Sequence, residues 1–212
     1  MRSFYAPCVN ASEFAGSWIE PNTEFCRSEW AQAEDGCYHI GRILKANPGS
    51  VHRAYATWQP CKTGSGFGPS LLELDFKYNI PAMGAGQWLS ILTLARSTSN
   101  ADWDPVCVNI DQAGRLYLMH VPTHGMATYT TLGDLTVSQN TWHHLDVKLD
   151  FRAAGSIVVS LNGTARLHAA FPGLLALQQV HAALYADGSL SSGWVANSNL
   201  RVQELPLQRE IH

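Results

Sequence analysis

Residues 142 to 163, "WHHLDVKLDFRAAGSIVVSLNG", alternate apolar and polar side chains with a period of two. Leu145, Val147, Leu149 and Phe151 fall on one side of the alternation, and His144, Asp146, Lys148 and Asp150 on the other. The pattern breaks at Arg152-Ala153-Ala154-Gly155, resumes through Ile157, Val159 and Leu161, and closes on Asn162-Gly163. Successive side chains of a strand point to opposite faces, so the stretch predicts a hairpin with one buried and one wet face. Asn-Gly supplies the two positive-φ residues of a type I′ turn and predicts a third strand beyond it.

The same signature recurs along the chain. "LLELDFKYNI" (71–80) places Leu72, Leu74, Phe76 and Tyr78 on one face, with Glu73, Asp75 and Lys77 on the other. "QWLSILTLAR" (87–96) is apolar on both faces, as a covered central strand is. "VCVNIDQAGRLYLMHVP" (106–122) reads as two strands around Gln112-Ala113-Gly114, and "VHAALYAD" (180–187) and "NLRVQEL" (199–205) as closing strands. Turn clusters such as "CKTGSGFGPS" (61–70) and "SLSSG" (189–193) separate them, and "LLALQQ" (174–179) offers at most one turn of helix. Short strands joined by Gly, Asn and Ser turns predict an all-β antiparallel sandwich or jelly roll. Residues 1–69 read as a loop-rich segment carrying the first strands, and 70–212 as the core of the same domain.

Composition narrows the function. With 46% apolar and 15% charged residues, the 212-residue chain can bury a core. A net charge of −3 gives no electrostatic ground for nucleic acid or an anionic membrane as partner. The most apolar long run, 165–186, is broken by His168, Pro172, Gly173, Gln178, Gln179 and His181, so it is not a membrane span. The opening "MRSFYAPCVNASEF" lacks the apolar core of a signal peptide. Either a signal has been removed or the protein leaves its cell by another route, such as lysis.

The five cysteines are Cys8, Cys26, Cys37, Cys61 and Cys107. The first four lie in the turn-rich N-terminal third, where disulfides could pin loops, with Cys26–Cys37 the first choice. Without a Cys-x-x-Cys pair, zinc is the weaker explanation. Cys107, between Val106 and Val108, reads as a buried free thiol.

Three stretches carry a resemblance. The first is "WLSILTLARSTSNADWDPVCVNIDQAGRLYLMHVPTHG", the second the hairpin at 142–163, and the third "QQVHAALYADGSLSSGWVANSNLRVQEL". Over about residues 70 to 205 they resemble the concanavalin A-like, laminin-G-like jelly-roll superfamily, closest to bacterial polysaccharide-lyase-like and lectin-like proteins. The resemblance implies a jelly-roll sandwich and a glycan or polysaccharide partner. It does not select among lectins, glycoside hydrolases, lyases, adhesion modules and viral surface proteins.

Glycoside hydrolases of this fold carry alternating acidic residues on one strand. Glu73 and Asp75 alternate so, but Lys77 stands at the third position, which suits an ordinary solvated face. The alginate-lyase-like pattern is echoed by "RSEW" (27–30) and "QVH" (179–181), at the wrong separation and without the Tyr-Phe-Lys-Ala-Gly motif. The fuller polar cluster is "RLYLMHVPTH": Arg115, Tyr117, His120 and His124 are glycan-binding candidates, joined by Trp58 and Trp103 as stacking platforms. His120 falls on the strand face opposite Arg115 and Tyr117, where a hydrogen-bonded core histidine is the competing role. No cofactor is expected. Calcium, frequent in the superfamily, could draw on Asp102 and Asp104, or on Asp187, Asn197 and Asn199.

The leading expectation is a non-catalytic carbohydrate-binding module. Two alternatives stand beside it. One is a polysaccharide lyase acting on a uronate polymer. The other is a surface or decoration protein of a virion or other extracellular assembly, with "MRSFYAPC" as an arm docking on a neighbouring subunit. All three place the chain outside the cell or on a particle.

Overall fold

The computed structural model describes residues 1–8, 18–19, 22–59, 66–97, 105–121, 126–150, 155–169 and 176–206. Their strands are β1 (Ser3–Ala6), β2 (Trp18–Ile19), β3 (Cys26–Ala33), β4 (Gly36–Ile43), β5 (Val51–Trp58), β6 (Ser70–Asn79), β7 (Leu89–Ala95) and β8 (Val106–Ile110). There follow β9 (Arg115–His120), β10 (Thr128–Thr136), β11 (His143–Asp150), β12 (Ser156–Leu161), β13 (Thr164–Ala169), β14 (Gln179–Asp187) and β15 (Gly193–Glu204). No helix occurs among the described residues. In place of a helical turn, Leu177 makes an antiparallel bridge with Phe67.

Two antiparallel sheets form the sandwich. The first runs β13-β12-β11-β6-β15-β4-β3, with β1 also paired to β15, and the second β10-β9-β8-β7-β14-β5-β2. The alternation at 142–163 becomes β11 and β12, in register from Leu145↔Leu161 to Asp150↔Ser156. Asn162 and Gly163 adopt φ of 49° and 79° and turn the chain into β13. On β6 the buried and half-buried positions alternate over all ten residues. Its Leu72, Leu74 and Phe76 meet Leu92, Leu94, Val108 and Leu118 of the second sheet in one continuous core. At Gly41 of β4 the sheets come so close that a Cβ would collide with the Ala54 carbonyl and the Leu184 side chain. Only glycine fits there.

The N-terminal third supplies β3, β4 and β5, so it contributes to both sheets. The opening residues do not project toward another molecule. Ser3–Ala6 pair with Gln203–Leu200 of β15, and Arg2 holds Glu204 at 2.6 Å. The expected docking arm is an internal edge strand, because its backbone finds partners within the sheet.

The expected disulfides are likewise corrected. Among the described residues Cys8, Cys26, Cys37 and Cys107 form no disulfide, and Cys61 lies outside them. In the β3–β4 hairpin Cys26 faces Ile43 whereas Cys37 faces Gln32. The two thiols therefore stand six residues apart along the ladder, about 20 Å, far beyond disulfide reach. Cys107 is buried and free as expected.

Candidate functional site

The outward face of the second sheet carries polar side chains on strands whose other face is apolar apart from the buried His52 and His120. In β5, Ala54, Ala56 and Trp58 enter the core while Arg53, Tyr55 and Thr57 alternate away from it. In β14, Val180, Ala182, Leu184 and Ala186 enter the core while Gln179, His181 and Tyr185 do not. The registers line these residues up in two rows across the strands. One row is Thr57–His181–Thr93–Cys107–Met119–Tyr129 and the other Arg53–Tyr185–Ser90–Asn109–Tyr117–Thr131. Six adjacent strands make each row about 24 Å long, room for several sugar rings.

The first row is closed at one end. His181 is shielded from solvent, its Nδ1 lies 2.9 Å from the Thr57 hydroxyl, and its Nε2 lies 3.2 Å from Gln179 Oε1. An amide oxygen only accepts, so Nε2 carries the proton and Nδ1 accepts from threonine. Burial lowers the His181 pKa to about 4, which keeps the ring neutral. With both nitrogens occupied, His181 is a scaffold for its neighbours. Tyr55 packs edge-on against it at 4.6 Å and against Tyr185 at 6.0 Å.

The second row is open at both ends and holds the reactive groups. Burial raises the Tyr185 pKa, and the charge of cross-strand Arg53 pulls the other way. Trp88 packs on Tyr185 at 4.9 Å. At the centre, Asn109 is fully buried, and among the described residues neither amide atom has a hydrogen-bond partner. Burial also raises the Tyr117 pKa, partly offset by the adjacent Asn109 amide, although the two do not meet hydrogen-bond geometry. An unpaired buried amide costs about 1–3 kcal/mol. Beside β14 the chain bulges against β7 between Ala182 and Tyr185, and Ala183 takes φ of 95°. Such strain in a non-glycine residue collects at functional sites.

Past Tyr117 the row opens into a cavity of about 540 Å³ lined by Gln87, Asp111, Arg115, Tyr117, Tyr129 and Thr131 among others. Arg115 pairs with Asp111 at 2.8 Å and remains largely exposed, as does Tyr129, whose ring lies 6.3 Å from that of Tyr117.

Arg115 and Tyr117 thus share one cavity, as their alternation predicts. The other candidates do not join them. His120 is buried on the opposite face of β9, between the sheets, because it is in phase with Leu116 and Leu118. Trp58 faces the core and packs against Phe4 at 5.8 Å, so it is no stacking platform. Trp103, His124, Asp102 and Asp104 lie outside the described residues. "RSEW" belongs to edge strand β3 of the first sheet and "QVH" to β14 of the second, so the two echoes never meet. Asn197 is bound to His39, and Asn199 to Asp75 and Tyr5, away from Asp187. Glu73 and Asp75 lie on the outer face of the first sheet, remote from the polar rows, and Lys77 pairs with Asp35 at 2.7 Å.

Arg53, Tyr55, Trp88, Asn109 and Tyr185 escaped the sequence reading. A signal existed. "VHRAYATW" alternates polar or aromatic residues with alanines, and β7 and β8 carry Ser90, Thr93 and Asn109 on otherwise apolar strands.

Two facing antiparallel sheets, with fifteen strands among the described residues, form a sandwich of the concanavalin A-like jelly-roll fold. Solved structures agree. The chain is similar to an endo-β-1,4-glucuronan lyase from the fungus Trichoderma reesei, with TM-score 0.68 and 14% identity over 97% of this chain and 96% of that one. It is similar to alginate lyase Aly36B, with TM-score 0.63 and 14% identity over 98% of each chain. A Bacillus licheniformis β-glucanase follows with TM-score 0.58 and 13% identity over 97% and 99%. At these identities the likeness shows the fold alone. No family model and no curated relative matches the sequence.

Proposed function

We propose that the protein is a polysaccharide lyase that cleaves a uronate-containing polymer laid along the second polar row. The observation that carries this reading is the cross-strand Arg53–Tyr185 pair on the outward face of the second sheet, with the buried Asn109 amide two strands further along the same row. β-Elimination needs three things: a cation or amide on the uronate carboxylate, a base for the adjacent C–H proton, and a proton for the leaving oxygen. Arg53, exposed at the end of the row, supplies the first. Tyr185, where the Arg53 charge opposes the burial that disfavours the phenolate, takes the proton from the carbon next to the carboxylate. The electron pair forms the ring double bond as the glycosidic C–O bond breaks, and the phenol returns its proton to the leaving oxygen. Atoms balance without any cofactor.

Tyr117, Tyr129 and Arg115 would then hold a neighbouring sugar, the aromatic rings against its C–H face and the guanidinium on a carboxylate. The resemblance of the backbone to glucuronan and alginate lyases supports this choice over a binding module. So does the arrangement of groups with opposed electrostatic demands in one row. A substrate of this kind is met outside the cell.

The test is ultraviolet absorbance of the conjugated uronate product on glucuronan, alginate and other uronate polymers. Rising absorbance with one of them, lost in Arg53→Ala, supports the proposal. Flat traces on all, with tight binding in affinity electrophoresis, would return the protein to the non-catalytic reading.

A further inference from the structure

The outer face of the first sheet carries a second cluster that the elimination does not use. Glu73 and Asp75 on β6 stand directly across from Asp146 and His144 on β11. Side chains directly opposite, or two apart on one strand, converge on one spot above a sheet. His144 Nδ1 lies 2.6 Å from Asp75 Oδ1, and its Nε2 lies 3.2 Å from Asp146 Oδ1. The other Asp75 oxygen accepts from Asn199 Nδ2 at 2.6 Å, and Tyr5 donates to Asn199 Oδ1 at 3.1 Å. Asn199 holds this place with φ of 52°, where β15 is irregular between Ser198 and Arg201. Asp75 is thus held to accept from Nδ1–H, which turns the Nε2 lone pair toward Asp146.

A neutral ring would set that lone pair against Asp146, so the contact calls for a positive charge at Nε2, either a proton or a metal ion. The imidazole, Asp146 and Glu73 offer one donor atom each, all within 4.8 Å of one another. Three carboxylates face one guanidinium, Arg201, cross-strand from Glu73; Lys148 lies two residues past Asp146, and uncharged Ser160 flanks it on β12. The carboxylates with Arg201 alone sum to two negative charges.

We propose that Glu73, His144 and Asp146 bind one zinc ion, with Asp75 as the positioning residue for the imidazole. Nitrogen and carboxylate oxygen are ordinary zinc donors, and the carboxylate–histidine–metal relay is the usual orienting arrangement. Zinc ligands lie about 3.3 Å apart in a tetrahedron, which half-exposed carboxylates reach by side-chain rotation. An imidazole favours zinc over calcium. Two ligands from β11 and one from β6 would clip neighbouring strands of the first sheet together.

The test is calorimetric titration of zinc chloride into the full chain near neutral pH, with far-ultraviolet circular dichroism to confirm folding of every variant. One equivalent should bind. His144→Gln should abolish it, Glu73→Gln and Asp146→Asn should each weaken it at least tenfold, and Asp75→Asn should weaken it about 10–100-fold. Cobalt(II) bound in place of zinc should show visible absorption that Asp75→Asn perturbs. Zinc binding that survives His144→Gln at full stoichiometry places the metal on other histidines or thiols and overturns the proposal. Absence of binding overturns it as well, and so does calcium binding as strong as zinc.

Discussion

Lowering the pH from neutral to about 5 should destabilise the fold by about 4 kcal/mol, through two histidines held neutral inside it. His39 is fully buried, its Nδ1–H donating to Asn197 Oδ1 at 3.0 Å and its Nε2 accepting from the Ser28 hydroxyl. Burial lowers its pKa to about 4, the same value as His181. In the unfolded chain each histidine titrates near 6.5. Between about 6.5 and 4 the unfolded state therefore binds two protons that the folded state refuses, and stability falls as pH falls through that window. At pH 5 each histidine accounts for about 2 kcal/mol, a large share of the roughly 5–15 kcal/mol typical of a domain. His144 works in the opposite sense. Its hydrogen bond to Asp75 raises its pKa, so its contribution is full below the unfolded value and is lost as pH rises through the folded one. Equilibrium urea unfolding at both pH values measures the sum. His39→Gln, which can keep a hydrogen bond to Asn197, should remove about half of the pH dependence. A wild-type stability that is flat between the two pH values refutes the reasoning. So does a His39→Gln variant that loses as much as wild type.

Four further outcomes follow. Tyr185→Phe should leave folding intact and lower kcat on the cleaved polymer by about 10²–10⁴, measured from initial rates. Trp58→Ala should lower unfolding free energy by about 3–5 kcal/mol in a urea titration, because the ring fills the core, while polymer affinity stays unchanged. Gly41→Ala should be among the most damaging single substitutions, seen as a collapse of Tm, since the added methyl meets a backbone carbonyl. Thiol titration of the unfolded, unreduced protein should find Cys26, Cys37 and Cys107 unbridged; fewer than three thiols would contradict the structure.

The sequence and the fold agree wherever one strand face is buried and the other wet. β6, β11 and β12 alternate cleanly, Asn162-Gly163 turns as its residues require, and β8–β9 reverse around Gly114. β3 to β5 were harder to read because their alternation is weak: β5 is buried along nearly its whole length. Local patterning also failed where partners are remote in sequence. Arg53 and Tyr185 lie 132 residues apart and meet only because β5 pairs with β14. Trp58, beside a loop, reads either as a stacking platform or as a satellite-core residue, and its phase with Ala54 and Ala56 takes it inward. The cysteines misled for a related reason. Proximity in sequence suggested Cys26–Cys37, but a hairpin carries its two strand starts to opposite ends of the ladder.

The most direct measurement of the central claim is the mass of the products released from glucuronan or alginate. Elimination gives oligosaccharides one water lighter than the hydrolytic products, with the unsaturated ring at the new non-reducing end, and Arg53→Ala and Tyr185→Phe should both stop their release. Fully hydrated oligosaccharides, or release that persists undiminished in both variants, would contradict the account.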